Sequence, residues 1–134
     1  MFGKLNHIGI FVKEMQPAID FYTNVLGGKL LFSLYNEGDG EKISMVRMGD
    51  YCVELIEPPE GAEDAPKAAQ ETRNHFAIEV EDIKAAVSHV QKQGCVLEKE
   101  GVYAVPHFGD EETNLLVAFF HGPNGERIEF FQYV

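Results

Sequence analysis

A chain of 134 residues with 45% hydrophobic and 25% charged side chains has the composition of a compact globular protein, which excludes a disordered one. Its formal net charge of −11 repels phosphate backbones, so nucleic acid is not an expected partner. No apolar run approaches the length of a bilayer span and residues 1–4 lead straight into a strand pattern, so a cytoplasmic protein with no membrane association is expected.

The elements follow in chain order. Residues 7–13 (HIGIFVK) alternate as a half-buried strand does, with Ile8, Ile10 and Val12 on one side and His7, Gly9 and Phe11 on the other. A helix comes next. Pro17 suits a first turn, and Met15, Ala18, Ile19, Tyr22 and Leu26 form an apolar stripe that stops at Gly27-Gly28. Three strands are expected at 29–36, 42–48 and 52–57, separated by Glu37-Gly38-Asp39-Gly40 and Gly49-Asp50. Residues 58–72, with prolines, acids and small residues, read as a linker. The order then recurs: a strand at 75–80, and a helix capped by Asp82 with Ile83, Ala86, Val87 and Val90 inward, ending at Gly94. Strands near 95–105, 115–121 and 127–133 complete the second copy, with Gly122-Pro123-Asn124-Gly125 as the last turn.

The recurrence can be counted. His7, Ile10, Val12, Met15, Ala18, Ile19 and Tyr22 become His75, Ile78, Val80, Ile83, Ala86, Val87 and Val90, each 68 positions later. Val53-Glu54-Leu55-Ile56 returns as Ile128-Glu129-Phe130-Phe131 after 75 positions. The expected fold is therefore α+β: one domain of two βαβββ modules, 1–57 and 73–134, forming a curved eight-stranded sheet with helices outside and a concave inner face.

Strand parity tests whether the duplicated polar residues converge. If the apolar sets face the helices, His7, Glu54, His75 and Glu129 all turn to the concave side. Two imidazoles and two carboxylates suit one first-row divalent ion, Ni, Co, Fe, Mn or Zn, and leave a position open for water or substrate. A lone histidine at a strand start is more often a surface residue, and a lone strand glutamate usually faces water. Four at equivalent places in a duplication favour a metal site. A cation also removes the cost of carboxylates buried in a sheet.

Other residues are weaker candidates. Arg47, Arg73 and Arg127 could grip an anion or form ordinary ion pairs, and His107 and His121 could reach the cavity from loops. His89 is expected in solvent, and Cys52 shares the parity of Glu54. Phe11, Phe119, Phe131 and Tyr133 could wall the pocket, with core packing as the default account. The acidic runs at Glu57, Glu60, Glu63 and Asp64 and at Asp110 to Glu112 read as solvated surface, and Cys52 and Cys95 as free thiols.

HIGIFV, AIDFYTNVLGGKLL, VELIEP, RNHFAIEVEDIKAAV and GPNGERIEFFQ together make the chain resemble the vicinal oxygen chelate superfamily, whose members include glyoxalase I and methylmalonyl-CoA epimerase. The resemblance implies that His7, Glu54, His75 and Glu129 bind one divalent metal, with Glu129 as catalytic base and Glu54 as second base or permanent ligand. It also implies a homodimer and a metal-stabilised enediolate route, as in a lactoylglutathione lyase. The substrate would then be a thiol adduct of a 2-oxoaldehyde or, on the epimerase alternative, an acyl thioester. Phe11 and Pro58 stand where bacterial glyoxalase I has an arginine and an asparagine that hold glutathione, so those contacts do not carry over. A non-catalytic protein that binds a drug or metabolite is the reading from another class, and the full ligand set counts against it.

Overall fold

The computed structural model describes residues 6–62, 75–108 and 110–134, and its contacts divide the chain into two compact units, Met1–Thr72 and Arg73–Val134. Arg73 and residues 63–72 of the expected linker lie outside the described residues. Among the described residues no helix is long and apolar enough to cross a membrane.

The first unit contains β1 (His7–Phe11), α1 (Met15–Asp20), β2 (Lys29–Asn36), β3 (Glu41–Met48) and β4 (Tyr51–Glu57) in the sheet order β1-β4-β3-β2. The helix carries the chain from β1 to the far edge, and two hairpins bring it back. The fourth strand therefore arrives beside the first and parallel to it. The second unit repeats the plan with β5 (Phe76–Glu79), α2 (Ile83–Lys92), β6 (Tyr103–Val105), β7 (Leu115–His121) and β8 (Arg127–Tyr133), ordered β5-β8-β7-β6. The fold is thus α+β with two βαβββ modules, the eight strands among the described residues shared equally between two mixed sheets.

Each helix is tied to the end of its unit's last strand. The Met15 N–H donates to Glu57 Oε2 at 2.6 Å, and the Ile83 N–H donates to Gln132 Oε1 at 2.9 Å. Both partners obey the repeat, since Met15 matches Ile83 and Glu57 matches Gln132. A first-turn amide that no helical carbonyl can satisfy is met from the sheet. Asp82 adds the expected side-chain cap, accepting from the Lys84 and Ala85 amides at 3.0 and 3.1 Å.

The face that each helix packs on is apolar. Ile10, Val12, Val46, Val53 and Leu55 are buried with Ala18 and Tyr22 of the first helical segment. Ala118, Phe120, Ile128 and Phe130 are buried, as are Ile83 and Val90 of α2. Two details depart from the sequence pattern. The first helix is α-helical only to Asp20 and widens into a π turn over Phe21–Val25, where the Leu26 N–H donates to the Phe21 carbonyl. The added residue brings Phe21 into the core beside Tyr22, their rings 5.3 Å apart and edge-on. The strand expected at 95–105 is confined to Tyr103–Val105, with a single bridge from Leu97 to Phe120. Between them Gly101 takes a left-handed φ of 62° and its N–H returns to the Glu98 carbonyl, turning the chain out of the extended path.

Gly28 closes the first helical segment where nothing larger fits. A Cβ there would stand 2.6 Å from Val46 Cγ1 and 2.7 Å from both Met48 Sδ and the Tyr22 carbonyl oxygen. At Gly9 it would meet only Ile56 Cδ1 at 3.5 Å, and the matching position already holds Ala77. Gly28→Ala is therefore expected to cost about 2 kcal/mol through overpacking, and Gly9→Ala less than about 0.5 kcal/mol. Urea unfolding of the two variants measures the difference, and equal midpoints would contradict it.

Candidate metal centre

In each unit the parallel pairing places a histidine and a glutamate diagonally across neighbouring strands. Gly9 lies opposite Glu54, and His7 is two residues earlier on β1. Ala77 lies opposite Glu129, and His75 is two residues earlier, at the entry to β5. Strand spacing and rise make such a diagonal about 8 Å between Cα atoms, a gap that the two side chains close. His7 Nε2 reaches 3.2 Å from Glu54 Oε2, and His75 Nε2 reaches 3.0 Å from Glu129 Oε2. The small residues Gly9 and Ala77 occupy the place between each pair. Val53, Leu55, Ile128 and Phe130 are buried on the helix side, as parity requires, while all four polar side chains keep partial exposure.

The spacing suits a shared cation. Two ligand atoms at metal–nitrogen and metal–oxygen distances of about 2.1 Å, at octahedral to tetrahedral angles, lie about 3.0–3.4 Å apart. Protonation gives a second argument. The His7 ring Nδ1 faces the Asn6 amide oxygen at 2.8 Å and so carries the hydrogen. The Nε2 of a neutral ring then turns its lone pair towards Glu54. Two acceptors 3.2 Å apart need a cation between them, either a proton or a metal ion. An outer partner fixing one imidazole nitrogen while the other ligates is common in metal sites. Among the described residues no third His, Cys, Asp or Glu joins either pair into a three-donor group. Each unit thus offers two donors.

The surroundings of the two pairs differ. Met45 lies opposite Glu54, and the face it shares continues through Ile43, Leu34 and Phe32, the last two 46% and 48% exposed. Phe119 lies opposite Glu129 and is buried, in a cluster with Leu115 and Val117 that Phe131 and Val105 flank. Tyr133 packs edge-on against Phe131 but is largely exposed, and Phe11 is half-buried on the His7 side of β1.

The remaining candidates sort by their partners. Arg127 is held by Glu98, with Nε to Oε1 at 2.7 Å and Nη2 to Oε2 at 2.9 Å. His121 also donates to Glu98, at 3.0 Å, from the end of β7. His107 has its Nδ1 on the Glu111 carbonyl in the loop before β7. Arg47 is exposed and lies opposite Lys29 on β2, while His89 is exposed in the last turn of α2. Cys52 and Cys95 are free thiols, and burial pushes that of Cys95 up. Glu98 was not foreseen. It stands among other acids in a segment that breaks strand parity, so no local pattern singles it out.

Known proteins bear on this arrangement. The model of the glyoxalase/bleomycin resistance protein/dioxygenase superfamily matches residues 4–130. Human mitochondrial methylmalonyl-CoA epimerase is 32% identical over 97 residues, covering 68% of this chain and 54% of the epimerase. The chain thus spans about half the length of that relative. A lactoylglutathione lyase of Neisseria meningitidis is 30% identical over 131 residues, covering 96% of this chain and 90% of the lyase. Among solved structures, a glyoxalase family protein from Enterococcus faecalis superposes with a TM-score of 0.76 at 19% identity, over 97% of this chain and 98% of that one.

Electrostatics around Glu98 set a pH dependence. The Arg127 hydrogen bonds, aided by His121, hold its carboxyl at about 2 against burial, which acts the other way. The folded-state value lies below the ordinary one of 4.5, so the ionised group stabilises the fold above that pH. The contribution fades as pH falls through the window down to about 2. Glu98→Gln is expected to cost about 1 kcal/mol at neutral pH, the scale of a partly exposed bidentate pair, and to flatten the acid limb of stability. Calorimetry across that window tests it, and an unaltered acid limb would contradict it.

Proposed function

Because the chain belongs to the glyoxalase/bleomycin resistance protein/dioxygenase superfamily, we propose that it is a metal-dependent lyase or isomerase of the glyoxalase I type, moving a proton next to a carbonyl. The observation that carries this reading is the recurrence of one His–Glu pair in both units, at the same register and at the spacing of adjacent ligands. His7, Glu54, His75 and Glu129 would together hold one divalent ion, Ni, Co, Zn, Mn or Fe. When bound, the ion supplies Lewis-acid stabilisation of the oxyanion that develops as the substrate loses a proton.

The residues do the rest. Glu129 takes the proton from the carbon beside the carbonyl. Returned to the neighbouring carbon, while the hydroxyl proton passes to the neighbouring oxygen, that proton turns the hemithioacetal formed by a thiol and a 2-oxoaldehyde into a 2-hydroxy thioester. Glu54 acts as second base or stays as a ligand. Partial exposure of both carboxylates leaves room for such an exchange. The protein is proposed to work as a homodimer in the cytoplasm.

A second reading has its own support in the likeness to methylmalonyl-CoA epimerase. On it, the proton returns to the same carbon of an acyl thioester, inverting its configuration. The two share one site and separate by substrate.

Chelation followed by dialysis is expected to abolish turnover, and adding back Ni, Co, Mn or Zn to restore it. Glu129→Gln should lower kcat by about 10²- to 10⁴-fold while some metal binding survives. Full activity in that variant, or in the chelated protein, would overturn the proposal. Methylglyoxal with a panel of thiols distinguishes the lyase from the epimerase, which instead exchanges solvent deuterium into a 2-methyl-branched acyl thioester.

A further inference from the structure

Among the described residues, the second unit carries a continuous set of contacts that reaches His75 and that the first unit does not repeat. Glu98 grips Arg127 through both carboxylate oxygens, at 2.7 and 2.9 Å. Its Oε1 also accepts from His121 at 3.0 Å. Held this way, the guanidinium lies over the Phe119 ring, its Cζ 3.9 Å from the ring centre. Phe119 in turn meets the His75 imidazole edge-on, with centroids 5.3 Å apart and planes at 88°. The His75 Nε2 end of that imidazole is 3.0 Å from Glu129, which is also the register partner of Phe119.

In the first unit the corresponding residues cannot do this. Cys52 stands where Arg127 does, and Met45 lies opposite Glu54 where Phe119 lies opposite Glu129. His7 is held through Nδ1 by Asn6.

We propose that Glu98, Arg127 and Phe119 form a brace that orients the His75 imidazole, making Glu98 a positioning residue that acts through the other two. The flat, doubly anchored guanidinium confines Phe119, and the ring confines the imidazole beside Glu129. Groups that hydrogen-bond a ligand side chain directly change metal affinity about 10- to 100-fold when replaced, and a brace acting through a ring contact is expected at the lower end of that range. The part of the test that reads metal rests on the proposed role of His75 as a donor. The part that reads the ring does not.

The experiment compares wild type, Glu98→Gln and Asn6→Ala in uniformly ¹⁵N-labelled, metal-free protein at one fixed pH. Two-bond ¹H–¹⁵N spectra report the state and order of each imidazole, and Mn²⁺ titration reports affinity. Glu98→Gln is expected to shift or broaden the His75 signals, leave those of His7 in place and weaken Mn²⁺ binding about tenfold. Asn6→Ala is expected to do the reverse to the two rings. A merely structural role for Glu98 would lower stability without selecting His75. If Glu98→Gln loses its fold, Arg127→Lys keeps the charge, removes the flat group over Phe119 and is read in the same way. His75 signals and Mn²⁺ affinity both unchanged in a folded variant would overturn the brace. Wild-type protein that binds no metal would defeat the proposed function while the spectra still decide the brace.

Discussion

The arrangement depends on one constraint, the parallel pairing of the first and last strand within each unit. It brings together two polar residues more than forty positions apart and sets them two registers out of step, so that an imidazole leans across to a carboxylate. The helix start is tied to the same pair of strands, by Glu57 in one unit and Gln132 in the other. The tie lies on the apolar side, since Glu57 shares the parity of Val53 and Leu55, and Gln132 that of Ile128 and Phe130. A slip of one residue in β4 would turn Glu54 into the core and Val53 and Leu55 out of it, at a cost of several apolar side chains.

Charge gives the exposed side its chemical character. A protein with a formal charge of −11 spends two partly buried carboxylates on positions that each face an imidazole nitrogen. With Asn6 holding the Nδ1 hydrogen, His7 presents an acceptor to another acceptor. Positive charge between them relieves this repulsion. The arrangement therefore favours a cation through electrostatics that local folding has already set up.

The two units share a frame and differ in what surrounds it. Both keep the His–Glu diagonal, the small residue between, and the helix tie from the last strand. Around Glu54 the neighbouring side chains are flexible or exposed, Met45, Leu34 and Phe32. Around Glu129 they are aromatic and fixed by an ion pair. A duplicated module keeps what its backbone pairing requires and is free to vary the rest.

Much of this was legible in the order of residues. The 68- and 75-residue recurrences, the alternation around His7 and Glu54, and Asp82 ahead of an apolar stripe are local patterns, and each survives in the structure because helices and strands impose fixed periods on their side chains. The π turn that admits Phe21, the shortening of the strand at Tyr103–Val105 and the capture of Arg127 by Glu98 were not legible. Each depends on packing between segments distant in sequence. The sequence by itself determined which residues face away from the helices and that they come in matched pairs. Only the tertiary structure decided which partners hold them, since a side chain's neighbour across a sheet is chosen by strand register and not by its place along the chain.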